Sequence, residues 1–268
     1  LFTNKKILNG FLYSAPITLG VKAYLDKTPD GKKDQIVLAT DSGEEILNYV
    51  EGDYTLETKI QAMDEAGVDI AMLRMPVWQE WLPLDICKEV NDQAADMCKK
   101  SEGRLVANAV VPPWGRPEDV DELKRCMEEL GMVGVQLACA YGNKFLDDEL
   151  FDPYMKYLNE HKIRAVIHHT PGQNIFAPFE DYTVLRREMG RVDVQAAAVG
   201  REIYSGMFDK YPDLVFVHTM LGGNWFGFQN LLRPHHSTKK KEAMNRLATN
   251  VDAEAYDRYL KNNIYFDA

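Results

Sequence analysis

An α/β fold, with parallel strands closed as a (β/α)8 TIM-like barrel, is what this sequence predicts. Three observations carry that expectation. Short apolar runs recur along the chain, each preceded by a segment with helical spacing, and strict strand–helix alternation means parallel pairing because helices supply the crossovers. Runs such as Leu214–Val217 are apolar throughout rather than alternating, which suits strands buried on both faces. The chain has 268 residues, 46% of them apolar, and barrels of this kind commonly run to about 250 residues as one domain. No GxGxxG or GxxxxGK follows any strand, so a nucleotide-cradling sheet is less supported.

In chain order, residues 1–53 read as an N-terminal arm. Ile7 to Tyr13 is expected to be extended, 27–34 is a turn, and 36–50 is a hairpin or a strand followed by a short helix. Thr55 then caps a helix whose apolar positions are Leu56, Ile60, Met63 and Ala66, stopped by Gly67. Strands follow near 68–75, 104–111, 133–138, 163–168, 213–218 and 263–267. Between them fall helices at 84–100, 117–130, 147–160, 191–211, 226–232 and 252–261. Residues 173–190 insert after the strand at 163–168, with the composition of a lid or a subunit contact. The whole of 1–268 is expected to be a single domain.

The net charge of -10 argues against nucleic acid or an anionic membrane as partner. No apolar run approaches the roughly 20 residues of a membrane helix. Lys239, Lys240 and Lys241, beside His235 and His236, read as a solvated basic patch. Cys87, Cys98, Cys126 and Cys139 show no CxxC spacing, which fits reduced, structural cysteines and a cytoplasmic location.

The sharpest chemical signal is that two strand-like runs end in histidine, Ile163–His169 and Leu214–His218. In parallel α/β folds chemistry collects where strands end, and imidazole is both a common metal ligand and the usual general base near neutral pH. A strand-end histidine taken alone is more often a hydrogen-bonded core residue than a ligand. Two on separate strands at one level point toward a shared mouth. Arg74 ends another strand and is a candidate clamp for a substrate carboxylate, with a salt bridge to a loop acid as the plain alternative. Gln136 interrupts an apolar strand. Trp78, Trp81, Trp114 and Trp225 follow strand ends and are candidate walls of an apolar pocket, or packing residues.

Five stretches resemble the amidohydrolase-related family of metal-dependent barrels, which includes aminocarboxymuconate semialdehyde decarboxylase, γ-resorcylate decarboxylase and related lactone hydrolases. They are LETKIQAMDEAGVDIAML (56–73), GRLVANAVVPP (103–113), ELGMVGVQL (129–137), IRAVIHHTPG (163–172) and SGMFDKYPDLVFVHTMLGG (205–223). The resemblance implies a divalent metal, zinc or manganese, with His168 as the fifth-strand ligand and His218 as the acid/base beside it. On their strand-end positions Arg74, Trp114 and Trp225 are the expected substrate-binding residues; a small-molecule carboxylate substrate and a homodimer are expected with the family. The family's first-strand His-x-His and last-strand aspartate have no counterpart, so a barrel incomplete at both ends is expected, and Asp267 is a poor substitute for that aspartate. His218 is followed by Thr219-Met220-Leu221 before Gly222-Gly223, which departs from the common His-x-Gly-Gly spacing. The implied function is non-oxidative decarboxylation of an aromatic or unsaturated acid. Metal-dependent hydrolysis of a lactone or amide, and a non-catalytic scaffold, remain open alternatives.

Overall fold

The computed structural model describes residues 2, 4–19, 21–74, 82–169, 177–179, 182, 184–234 and 251–267. The chain packs as two compact units, Leu1–Pro112 with Asp121–Val133, and Pro113–Val120 with Gly134–Ala268.

The first unit opens with helix α1 (Lys5–Leu19), correcting the extended segment expected over 7–13. Ile7, Phe11 and Ala15, four residues apart, form its buried stripe. Gly10 weakens the local helix signal, but it earns its place: a Cβ there would come 2.9 Å from Ile86 Cγ1. Strands β1 (Lys22–Lys27), β2 (Asp34–Ala39) and β3 (Glu45–Val50) follow as an antiparallel sheet in that order. The hairpin reading of 36–50 therefore holds, and the arm is a small helix-and-sheet layer around Phe11, Val21, Ile36, Leu38 and Tyr49.

Helix α2 (Leu56–Ala66) begins with a reciprocal capping box between Thr55 and Thr58 and stops at Gly67, whose φ is +66°. Strand β4 (Ala71–Leu73) is shorter than the sequence suggests, and it pairs in parallel with β5 (Leu105–Val110) after helix α3 (Leu84–Lys100). Asn91 ties α3 to the end of β5. Its amide donates to the Val110 carbonyl (3.0 Å) and to Glu122 (2.9 Å), and its oxygen accepts from the Val110 N–H. Glu122 lies on α4 (Pro117–Glu128), where Arg125 pairs with it at 2.8 Å.

In the second unit, strands β6 (Gly134–Ala138), β9 (Arg164–His168), β10 (Val215–His218) and β11 (Ile264–Phe266) run parallel, adjacent in that order. A short hairpin of β7 (Ala140–Tyr141) and β8 (Lys144–Phe145) follows β6. Helices α5 (Asp152–Glu160), α6 (Arg191–Tyr204), α7 (Met207–Lys210), α8 (Trp225–Leu232) and α9 (Ala253–Asn262) fill the crossovers. Gly206, at φ +74°, splits the single helix expected over 191–211 into α6 and α7. One sheet face is sealed by helices. Phe216 meets Phe208 of α7 edge-on at 5.8 Å, and Phe208 meets Tyr259 of α9 at 5.5 Å. Among the described residues no helix is long and apolar enough to cross a membrane.

Replacing the fully buried Asn91 by Ala strands the Val110 backbone groups and removes a donor from Glu122. We expect a loss of about 3 kcal/mol of stability, read as a lower urea midpoint at unchanged slope.

Candidate functional site

His218, at the end of β10, has no exposed surface and both ring nitrogens are engaged. Nε2 lies 2.7 Å from Glu202 Oε2, and Nδ1 lies 3.2 Å from Gln195 Nε2. Gln195 Nε2 also donates to the Ile167 carbonyl at 3.0 Å. That bond fixes the amide's orientation, so its other hydrogen points to His218 Nδ1, which accepts. The ring proton then sits on Nε2 and is donated to Glu202. Gln195 and Glu202 are seven residues apart on α6 and so share its inner face. Burial holds the Glu202 carboxyl above the usual range, with His218 pulling the other way.

His168 stands elsewhere. His218 is paired in register with Ile167, not with His168. Paired residues of parallel strands share a face and neighbours alternate, so His218 faces α6 while His168 faces the opposite side. The two rings that the sequence suggests should converge are therefore on different faces of one sheet. His168 is half-buried, and its Nδ1–H donates to the His169 carbonyl at 2.9 Å, which leaves the lone pair on Nε2. The His169 ring is buried; burial first, then His168 and Arg191, push its pKa down to about 3, so it is neutral.

The remaining candidates separate. Arg74 is exposed at the C-terminal end of β4, in the first unit. Trp114 is half-buried and stacks edge-on against Tyr141 at 5.4 Å and tilted against Phe151 at 6.2 Å. The Tyr141 hydroxyl accepts from the Ala138 N–H, so this aromatic group is anchored at the end of β6. Trp225 is wholly buried against Tyr256 and Gly200; it packs α8 and walls no open pocket. Gln136 is buried in β6, level with Val166 and on the same face as His168. Trp78, Trp81, His235, His236, Lys239, Lys240 and Lys241 lie outside the described residues, as does part of the 173–190 insertion. Of that insertion, Leu185–Gly190 is a π-helical turn leading into α6.

No group of three or more His, Cys, Asp or Glu side chains among the described residues is placed to hold a metal ion. His168 is thus not joined by other such side chains into a coordination set among the described residues.

The chain leaves β10 through a tight turn. Met220, Leu221, Gly222 and Gly223 have φ of +54°, +53°, +67° and +65°. A Cβ on Gly223 would fall 2.0 Å from the Val192 carbonyl oxygen, and one on Gly222 would fall 2.5 Å from Phe266 Cε1. Glycine is obligatory at both. Thr219 is extended and 3% exposed, and its hydroxyl has no hydrogen-bond partner among the described residues.

A family model described as amidohydrolase matches residues 55–250, well over half of the chain. The 2-amino-3-carboxymuconate-6-semialdehyde decarboxylase of Dictyostelium discoideum is 26% identical over 180 residues, 64% of this chain and 49% of that protein. Gamma-resorcylate decarboxylase of Rhizobium sp. is 31% identical over 103 residues, 32% of this chain and 31% of that enzyme. The chain thus spans half or less of the curated relatives it matches. A 5-carboxyvanillate decarboxylase of Novosphingobium aromaticivorans, crystallised with manganese and 4-hydroxy-3-methoxy-5-nitrobenzoic acid, superposes with a TM-score of 0.66 at 26% identity, covering 79% of this chain and 62% of that one. The apo IDCase of Metarhizium anisopliae gives 0.70 at 21% identity, covering 92% and 71%, a likeness of fold.

Two substitutions test the buried pair. His218→Ala leaves the buried Glu202 carboxyl without its hydrogen-bond partner, so a loss of about 1–3 kcal/mol is expected in urea unfolding. The folded protein holds the Glu202 proton more firmly than the unfolded chain. Stability tied to this group is therefore full below the ordinary carboxylate range and declines as pH rises through the raised value. Glu202→Gln should flatten that decline in a series of urea midpoints against pH; an unchanged slope rejects the assignment.

Proposed function

Because the chain belongs to the amidohydrolase family, with its TIM-like α/β barrel fold, we propose that it is a carbon–carbon lyase releasing CO2 from a small aromatic carboxylic acid. The observation that carries this reading is His168, half-buried at the C-terminal end of β9 on the face turned away from α6. Strand ends of this kind are where such folds place their chemistry. The relatives named as decarboxylases, of carboxymuconate semialdehyde, γ-resorcylate and carboxyvanillate, support the reaction class.

Departure of CO2 leaves an electron pair on carbon, and that carbon then takes a proton. The donor must face the substrate. His218, sealed beneath α6, supports the strand rather than supplying that proton. A divalent metal belongs to this reading through the manganese-bound relative, with His168 Nε2 as its ligand here and zinc as the alternative ion. The described residues do not complete a coordination set. A homodimer completes the reading and is checked by light scattering on the eluted protein.

Two measurements test the proposal. On a panel of hydroxybenzoates and lactones, CO2 release from a hydroxybenzoate is expected. Lactone opening without CO2 would make the protein a hydrolase; silence on both, with no metal retained after supplementation, would make it a scaffold. His168→Ala is expected to lower the rate by about a hundredfold and to reduce bound metal, measured by elemental analysis. An unchanged rate and metal content would remove His168 from the site.

A further inference from the structure

The first unit presents a strand edge that the proposed reaction does not use. Its antiparallel sheet runs in the order β1, β2, β3, so among the described residues β1 pairs on one side only. The strand is largely exposed, Tyr24 to 39% and Leu25 to 49%. Which backbone groups face outward follows from the ladder. The Thr28 N–H donates to the Lys33 carbonyl at 3.0 Å, and hydrogen-bonded pairs recur at every second residue. Asp26–Gln35, Tyr24–Val37 and Lys22–Ala39 are therefore the bonded pairs. The N–H and C=O groups of Ala23 and Leu25 point away from β2. Lys27 closes this stretch: its N–H donates to Asp26 Oδ1 (2.7 Å) and its carbonyl accepts from Gln35 Nε2 (2.9 Å).

An open edge is a template for another strand, and charges on it commonly repel one. The charges of β1 instead complement a second copy of β1. Two copies pair antiparallel about a two-fold axis. Setting Ala23 against Leu25 of the copy satisfies the outward groups of both residues and puts Tyr24 on the axis. Lys22 then faces Asp26 of the copy, twice, and Tyr24 faces Tyr24. Opposite charges and aromatic pairs directly across a ladder are stabilising. A register shifted by one residue sets outward groups against inward ones. Lys22 Nζ already donates to the Asp41 carbonyl at 2.6 Å, but an ammonium carries three donors and a carboxylate about four acceptor sites. Ala23 packs on the α1 side of the sheet with Ile36 and Leu38, and Leu25 shares that face. The Leu25–Ala23 contact would carry this apolar layer across the axis.

We propose that two copies of the chain associate through β1, joining their three-stranded sheets edge to edge. The inference takes the homodimer from the proposed function and adds where its copies meet; it does not depend on the reaction.

The test is analytical ultracentrifugation of the 268-residue chain over a concentration series. Wild type is compared with Lys22→Asp, Asp26→Lys, an equal mixture of these two, and Leu25→Pro, with urea midpoints showing that each variant folds. Wild type should form dimers. Each charge variant alone sets two like-charge pairs across the axis and should weaken the dimer by about tenfold or more. The mixture sets acid against base at both positions and should regain wild-type association, which a folding defect does not produce. Leu25→Pro removes an outward N–H, keeps the β1–β2 bonds and should also weaken the dimer. A wild type that stays monomeric overturns this inference and the homodimer together. A dimer indifferent to every variant, or a mixture no stronger than its components, overturns pairing through β1 and leaves the homodimer standing. Dimers that respond to the variants in a protein releasing no CO2 support this inference and remove the lyase.

Discussion

The hydrogen-bonded chain Ile167–Gln195–His218–Glu202 is the constraint on which the second unit depends. It joins the backbone of β9, one face of α6 and the last side chain of β10 with three bonds of 3.0, 3.2 and 2.7 Å. A carboxylate taken fully out of water is costly, and hydrogen bonds recover only part of that cost. An apolar trio of similar volume would hold α6 down at least as well. What the polar chain adds is position: Gln195 must meet one carbonyl and one ring nitrogen at once, so α6 cannot slide along the sheet without breaking both. The helix start is held, and the strand ends keep their levels.

Those levels decide which side chains can act together. Parallel strands alternate with a period of two residues, and a shift by one residue changes the face. His168 and His218 look equivalent because each ends its apolar run, yet their levels differ by one. His218 is level with Ile167 and belongs to the core beneath α6; His168 is level with Thr219 and does not. This one-residue offset turns the more prominent histidine into a structural group and the less prominent Thr219 and Asp267 into the neighbours of His168.

Much of the architecture was legible in the sequence because it rests on local signals. The boundaries of α3, the cap of α2 at Thr55 and Gly67, and the parallel strands β5, β6, β9, β10 and β11 follow from periodicity and turn chemistry. Helix α1 was not legible, because Gly10 breaks its pattern and its reason, Ile86, lies far along the chain. Register was not legible either. It depends on where one strand meets another, which no window of sequence contains. One signal was available and passed over: Gln195 and Glu202 interrupt the stripe formed by Val194, Ala198, Val199 and Ile203. Two polar residues seven apart in a buried helical face announce a polar partner beneath. The aromatic group at Trp114 was visible as composition, but its anchoring through Tyr141 to Ala138 required the β7–β8 hairpin.

The left-handed turn after β10 links the tip of β11 to the start of α6. At one end, Leu221 holds the Asp267 carbonyl through its N–H; at the other, Gly223 lies flush against Val192 in the first turn of α6. Four consecutive residues with positive φ leave such a segment little slack. It behaves as a stiff strut. The start of α6, which the π-helical turn at Leu185–Gly190 leads into, is thereby joined to the tip of β11 through main-chain atoms of one short turn.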